Sequence, residues 1–300
     1  MPSPPPVSRR SLLKAGLAVS TVGVLVPSCA AAMAEPDVPR RLRAIERRYE
    51  TRLGVYARNV DTGETVRYRS GERFAMCSAF KGLLAAHVLR DYDRHGEYLE
   101  RVIHYSKDDL LDWSVVTENH VDTGMAVRDL CLAAVSHSDN AATNLLLRET
   151  DGPHGLTKFC RTIGDGHTRL DRREPDMSSA KPGDPRDTTT PAAIGRSYAR
   201  LVLGDVLRPA HRDQLTSWLK VNTTSEPRFH AGLPDDWVIG DKTGTGGYGT
   251  VNDVGIVWTP KGTTLVLAVM STKEINGATA DDRVVADTAR LLARVLAPGE

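Results

Sequence analysis

The sequence predicts an α+β fold in which both ends of the chain build one antiparallel sheet and the middle forms a helical unit inserted between them. Three observations lead there. Alternating apolar and polar residues, the period of a half-buried strand, occur near the start of the globular part. Apolar residues at helical spacing fill the middle, and strand patterns with glycine-rich turns return near the end, before a last amphipathic helix. The 300 residues are 40% hydrophobic and 26% charged, enough for one large domain or two intimate ones. A formal net charge of +1 gives no overall electrostatic reason to expect nucleic acid or another polyanion as partner.

Residues 1–34 read as an export signal. Arg9 and Arg10 in SRRSLLK precede an apolar stretch, Leu12 to Val26, that contains Lys14 and is too short for a stable membrane span. The paired arginines resemble the twin-arginine signal, which carries folded proteins across a membrane. Two processing points overlap. VPSC at 26–29 resembles a lipobox, which would leave Cys29 as a lipid-anchored N-terminus, and AMA at 32–34 resembles an ordinary cleavage site before Glu35. A secreted or cell-envelope protein with no transmembrane span is the expectation. If Cys29 is lipidated or lost, Cys77, Cys131 and Cys160 remain, an odd number that cannot all pair.

After the signal, RRLRAIERRYETRLG carries a helical pattern, and VYARNVDTGETVRYRS reads as two strands around the turn Asp61-Thr62-Gly63-Glu64. From about 72 to 220 the pattern is helical, with loops near 92–118 and 165–190. The segment 237–272 then reads as strands with a Pro-Lys-Gly hairpin, and ADDRVVADTARLLARVLA closes the chain as a helix. The sheet unit is thus expected over 35–70 and 217–300, the helical unit over 71–216. A cleft between them is the natural ligand site.

Four clusters carry chemistry. MCSAFKGLLAAHV places Ser78 and Lys81 three apart, neighbours on one helix face, and an adjacent base is what a weak serine nucleophile needs. HSDNAATNLL places Ser138, Asp139 and Asn140 at a helix start. GDKTGTGG places Lys242, Thr243 and Gly244 on a strand ending in glycines, and RLDRREPDMSSAKPGDPRDTTTP places Glu174 in a proline-rich loop. Singly each also suits a bland role: a snorkelling lysine, an N-cap serine, a surface lysine, a solvated acid. In this order they form S-x-x-K, S-D-N and K-T-G, a set shared by class A β-lactamases and penicillin-binding proteins.

On these motifs, with Arg172-Arg173-Glu174-Pro175, GDPRDTTTP, LPDDWVIGDKTG and VTENHV, the chain resembles class A serine β-lactamases over about residues 40–298. The resemblance implies a two-domain serine β-lactamase/DD-peptidase-like fold, an all-α domain packed on an α/β domain with an antiparallel sheet. It implies hydrolysis of the β-lactam amide through a serine acyl-enzyme, giving antibiotic resistance, by a monomer that needs no cofactor. Opening a strained amide needs a nucleophile, a base, a proton donor for the departing nitrogen and an oxyanion site. The implied roles are Ser78 as nucleophile and, as the base that activates it, either Lys81, the nearest, or the loop glutamate acting through a water. Ser138 relays a proton to the leaving nitrogen, and the backbone N–H groups of Ser78 and Thr245 form the oxyanion hole. Glu174 is the base for the deacylating water. Arg172 and Asp187 are expected to pin the loop that carries it.

Substrate contacts follow from the same resemblance. Lys242, Thr243 and Thr245 offer a charge and two hydroxyls to the substrate carboxylate, and Asn140 an amide to its side chain. Many relatives add an arginine from the next strand; YGTVNDVG has none, and Arg228 in EPRFHAGLP matches the alternative. Trp113 matches an aromatic gatepost. Where most relatives read E-P-x-x-N, this chain has Ser178, so the deacylating water is expected to be less firmly held. Cys77, beside Ser78, is expected to pack behind it rather than react. A DD-peptidase lacks the loop acid, and an acylated sensor module would need membrane spans. A metal-dependent hydrolase would need ligand spacings that the nine histidines do not supply.

Overall fold

The computed structural model describes Pro2 and residues 38–300; the rest of the expected export signal, with Arg9, Arg10 and Cys29, lies outside the described residues. The chain opens with α1 (Val38–Tyr49), β1 (Arg52–Asn59) and β2 (Thr65–Tyr68). It continues through β3 (Phe74–Ala75), a tight helical turn over Cys77–Phe80, and α2 (Lys81–His87). The helical middle holds β4 (Val102–Ile103), β5 (Met125–Ala126), α3 (Val127–Ser136), α4 (Asn140–Glu149), α5 (Gly152–Thr162), β6 (Thr188–Thr189), α6 (Pro191–Val202) and α7 (Pro209–Lys220). Three long strands, β7 (Val238–Gly246), β8 (Thr250–Trp258) and β9 (Thr264–Thr272), and α8 (Arg283–Leu296) end it.

Both ends of the described chain enter one sheet, of order β2-β1-β9-β8-β7, antiparallel throughout. β1 lies on the last strand, in register from Arg52 opposite Thr272 to Asn59 opposite Leu265. The turn into β2 is set by Asn59, whose Oδ1 accepts from the N–H groups of Asp61 and Thr62.

Each face of the sheet meets a separate core. On one, Tyr56, Ile256 and Met270 pack with Phe80, Leu83 and Leu84 around α2. On the other, Leu53, Val55 and Leu267 pack with Leu42 of α1 and with Val285 and Leu292 of α8. A strand covered on both faces has no polar side to show, which is why β8 and β9 are buried almost end to end instead of alternating. Each fully buried Leu or Val contributes about 1.5–3 kcal/mol of transfer free energy. The expected boundary at 216/217 falls inside α7. Among the described residues no helix is long and apolar enough to cross a membrane, and no three His, Cys, Asp or Glu side chains are grouped to hold a metal.

Candidate active site

The turn at Cys77–Phe80 presents Ser78 at the mouth of a cleft of ≈ 540 Å³. Its geometry depends on the strand beside it. Gly244 leaves no room for a side chain, since a Cβ there would stand 2.6 Å from Met76 O and 3.2 Å from Ala79 N. β7 therefore lies directly against the turn, and Ser78, Thr243, Gly244 and Thr245 line the same cleft. Asn252 of β8 ties the approach down, donating from Nδ2 to the carbonyls of Ala75 (2.9 Å) and Met76 (3.2 Å). Three residues around the cleft hold left-handed backbone without being glycine: Cys77 (φ 44°), Trp113 (φ 64°) and Ser138 (φ 59°). Such conformations cost on the order of 1–3 kcal/mol each and persist where the surroundings fix them.

Lys81 is the first residue of α2 and is wholly buried. Its ammonium donates to Asn140 Oδ1 (2.7 Å) and Ser138 O (2.8 Å), lies 3.4 Å from Ser138 Oγ, and pairs with Glu174 Oε1 at 3.3 Å. Ser78 Oγ donates to that same oxygen at 3.4 Å. One carboxylate oxygen thus faces both the Ser78 hydroxyl and the Lys81 ammonium. Burial drives the Lys81 pKa down, with the charge of Glu174 opposing the fall. Asn140 uses both ends of its amide within the protein, its Nδ2 donating to Asp112 O at 2.9 Å.

Glu174 is held by its loop and by α4. Arg172 Nε donates to Asp187 Oδ2 at 2.6 Å, and Asp187 Oδ1 accepts from the N–H groups of Asp171 and Arg172. This is the pair expected from the sequence. Asn144 clamps the backbone of the acid itself, accepting from Glu174 N (3.1 Å) and donating to Glu174 O (2.9 Å). Asn144 escaped the sequence reading, although it stands one helical turn after Asn140 and shares its face. Ser178 Oγ donates to Glu174 Oε2 at 3.0 Å, so this hydroxyl holds the acid directly. Gly246 lets the strand meet the loop, because a Cβ there would stand 2.5 Å from Ser178 O. Gly247 N donates to that carbonyl at 2.9 Å.

Opposite the loop lies a concentration of positive charge. Lys242 is buried, and burial together with the nearby Lys81 charge lowers its pKa to about 7. Beneath it the carboxyls of Asp241 and Asp253 are bridged by Ser225 Oγ, and burial pushes both pKa values up. Arg228 is buried rather than solvated. Its Nε donates to Asp282 (2.7 Å), Nη1 to the carbonyls of Gly244 (3.0 Å) and Asn252 (2.8 Å), and Nη2 to Thr245 Oγ1 (2.5 Å). Five N–H donors with four so placed leave one for a ligand. Thr224 Oγ1 hydrogen-bonds Thr243 Oγ1 and, with Thr223, lines the cleft; no sequence pattern had singled out either.

Trp113 stands at the rim, 58% exposed, its Nε1 donating to His137 O at 2.9 Å. Cys77, Cys131 and Cys160 are free and buried, and burial pushes the Cys77 thiol up, away from the thiolate a nucleophile needs. A buried serine, lysine and glutamate in contact, with a second hydroxyl at Ser138 and an anion-binding wall, is equipped for acyl transfer to serine followed by hydrolysis.

Comparisons agree with this chemistry. The family model described as the Beta-lactamase enzyme family matches residues 37–296. The β-lactamase of Streptomyces lavendulae is 50% identical over 296 residues, 96% of this chain and 97% of that one. The β-lactamase AST-1 of Nocardia asteroides is 44% identical, covering 96% of each. Among solved structures, the β-lactamase from Streptomyces albus G superposes with a TM-score of 0.84 at 52% identity, covering 86% of this chain and 98% of that chain. The class A β-lactamase of the last common ancestor of Gram-negative bacteria gives 0.82 at 51% identity, covering 85% and 97%.

Proposed function

The chain belongs to the β-lactamase enzyme family, as a class A member that hydrolyses β-lactams and so gives resistance to them, and on that premise we propose the following division of labour in its cleft. Ser78 Oγ attacks the β-lactam carbonyl and passes its proton toward Glu174 Oε1, the acceptor it already faces at 3.4 Å. Lys81, lowered in pKa by burial, sits on the same oxygen and next to Ser138, so a proton can move from the acid side of the cleft to the Ser138 hydroxyl. Ser138 then protonates the departing nitrogen. The backbone N–H groups of Ser78 and Thr245 stabilise the oxyanion. In the second half, Glu174 deprotonates the water that attacks the ester.

Substrate is held by Lys242, Thr243, Thr245 and the free N–H of Arg228 at its carboxylate, by Asn140 at its side chain, and by Trp113 at the rim. Ser178 orients the glutamate. The single observation that carries the hydrolytic reading is the placement of Glu174, buried against Ser78 and clamped at its backbone by Asn144. Hydrolysis assays with one penicillin, one cephalosporin and one carbapenem test it. Stable acylation of Ser78 with no turnover of any of them would make the protein a β-lactam sensor instead.

The export reading is part of the proposal. Arg9 and Arg10 direct the folded chain through the twin-arginine route, and the mature monomer starts at Cys29, lipidated, or at Glu35. Mass analysis of the mature N-terminus separates the two starts.

A further inference from the structure

The outward face of α1 carries charge of one sign. Its twelve residues, VPRRLRAIERRY, contain five arginines and one acid. Leu42 and Tyr49 are buried and Ile45 is partly buried against the core under the sheet, whereas Arg40, Arg41, Arg43, Arg47 and Arg48 are all exposed. At 3.6 residues per turn these arginines fall together on the face opposite the apolar one. The acid of the helix, Glu46, does not dilute them. It turns inward, accepting from Leu53 N at 2.9 Å and from the Tyr68 hydroxyl, and pairs with Arg69 at 3.0 Å. Arg48 meets Asp287 at 3.1 Å, but Arg41 and Arg47 have no ion-pair partner among the described residues. A net charge of +1 for the whole chain hides this asymmetry.

We propose that α1 is an electrostatic membrane-contact helix, whose arginine face binds the headgroups of an anionic bilayer. A helix whose apolar side is already committed to the protein core cannot insert, so the contact is adsorption by charge alone. Two features on the page favour a lipid surface over a soluble polyanion. The five arginines, from Arg40 to Arg48, form one face about 12 Å long, suited to a plane. Cys29, the candidate lipid-attachment point, stands nine residues before Val38, a span of at most about 30 Å, so an anchored chain would deliver α1 to the headgroup layer. No residue of α1 lines the cleft, and β7, which does, is the sheet edge opposite β2, which α1 contacts.

The test uses the full exported chain carrying Cys29→Ser, which removes any acyl anchor and isolates the contribution of charge. Its sedimentation is measured with phosphatidylcholine vesicles and with vesicles that also contain phosphatidylglycerol. Binding to the anionic vesicles, weakening as salt rises, is expected, and each arginine near the surface is worth about fivefold in affinity. Arg41→Glu with Arg47→Glu should lower vesicle affinity about 600-fold, and Arg41→Gln with Arg47→Gln about 25-fold, with β-lactam hydrolysis and thermal midpoint unchanged. No binding to anionic vesicles at low salt, equal binding to both vesicle types, or binding unaffected by either double variant would overturn the proposal. So would tighter, arginine-dependent binding to a soluble glycerol-phosphate polymer than to the vesicles.

Discussion

Lys81 and Glu174 form an ion pair at 3.3 Å with side chains 0% and 1% exposed. Neither charge has water to fall back on, so removing one strands the other in a medium that solvates it poorly. Ser78 shares the glutamate oxygen that closes the pair, which makes the charge state of this couple the setting for the Ser78 hydroxyl.

Glu174→Gln should separate the half-reactions. Lys81 remains to support some acylation, while loss of the base slows deacylation by on the order of 10²–10⁴. Mass spectrometry after mixing with a penicillin should show an adduct persisting on Ser78; steady turnover without one would remove Glu174 from the role.

Ser78→Ala should abolish turnover and leave the fold intact. The hydroxyl makes one hydrogen bond, of 3.4 Å, and its loss costs the fold at most about 1 kcal/mol. An unchanged melting curve and no hydrolysis of a chromogenic cephalosporin are the expected readings.

Arg228→Ala should act twice. It removes the substrate-facing N–H, raising KM for carboxylate-bearing β-lactams by the worth of about 1.5–3 kcal/mol with smaller change in kcat. It also strips the carbonyls of Gly244 and Asn252 of their charged donor, so the thermal midpoint falls as well. Unchanged KM for several penicillins would confine Arg228 to holding the strands together.

Lys242 supplies a pH dependence whose sign is fixed. With a pKa of about 7 it is cationic below that pH and neutral above it, so attraction for the substrate carboxylate fades as pH rises. The kcat/KM profile should fall on its alkaline side with an apparent pKa near 7. Lys242→Arg, which keeps its charge at all these pH values, should extend the plateau.

Ser178 bears on deacylation. Ser178→Ala deletes the hydroxyl that holds Glu174 Oε2, a hydrogen bond to a charged group worth about 1.5–3 kcal/mol, and should slow deacylation by roughly ten- to 150-fold. Ser178→Asn, with two donors and a longer reach, should accelerate penicillin deacylation a few-fold without equal gain in acylation. Pre-steady-state kinetics read the two steps apart.

The groups proposed as catalytic were legible because their chemistry recurs in short spacings: three residues from Ser78 to Lys81, and the run Ser138 to Asn140 at a helix start. The sheet was legible at its ends for a similar reason, since strand period and glycine turns are local signals. What escaped is what depends on side chains meeting across the fold. That Ser178 turns its hydroxyl to the glutamate, that Arg228 is buried among strand carbonyls, and that Thr224 joins Thr243 are facts of tertiary packing, which no spacing encodes. Asn144 lies between these cases, visible in principle as the next residue on the face of Asn140 but mute without knowledge of the loop it meets.

Asn140 and Asn144 give α4 a metric function. The first carries Lys81 and the second carries the backbone of Glu174, so the pitch of one helix sets the distance between the two supports of the cleft. A single residue inserted between them would rotate Asn144 by about 100° and carry its amide off the loop. Residues 94–97, between α2 and β4, are mostly exposed and line no part of the cleft, so the same insertion there leaves this turn of α4 as it is. A single residue inserted there should therefore be tolerated where one inserted in α4 is not, a contrast that the hydrolysis rates of the two variants would display directly.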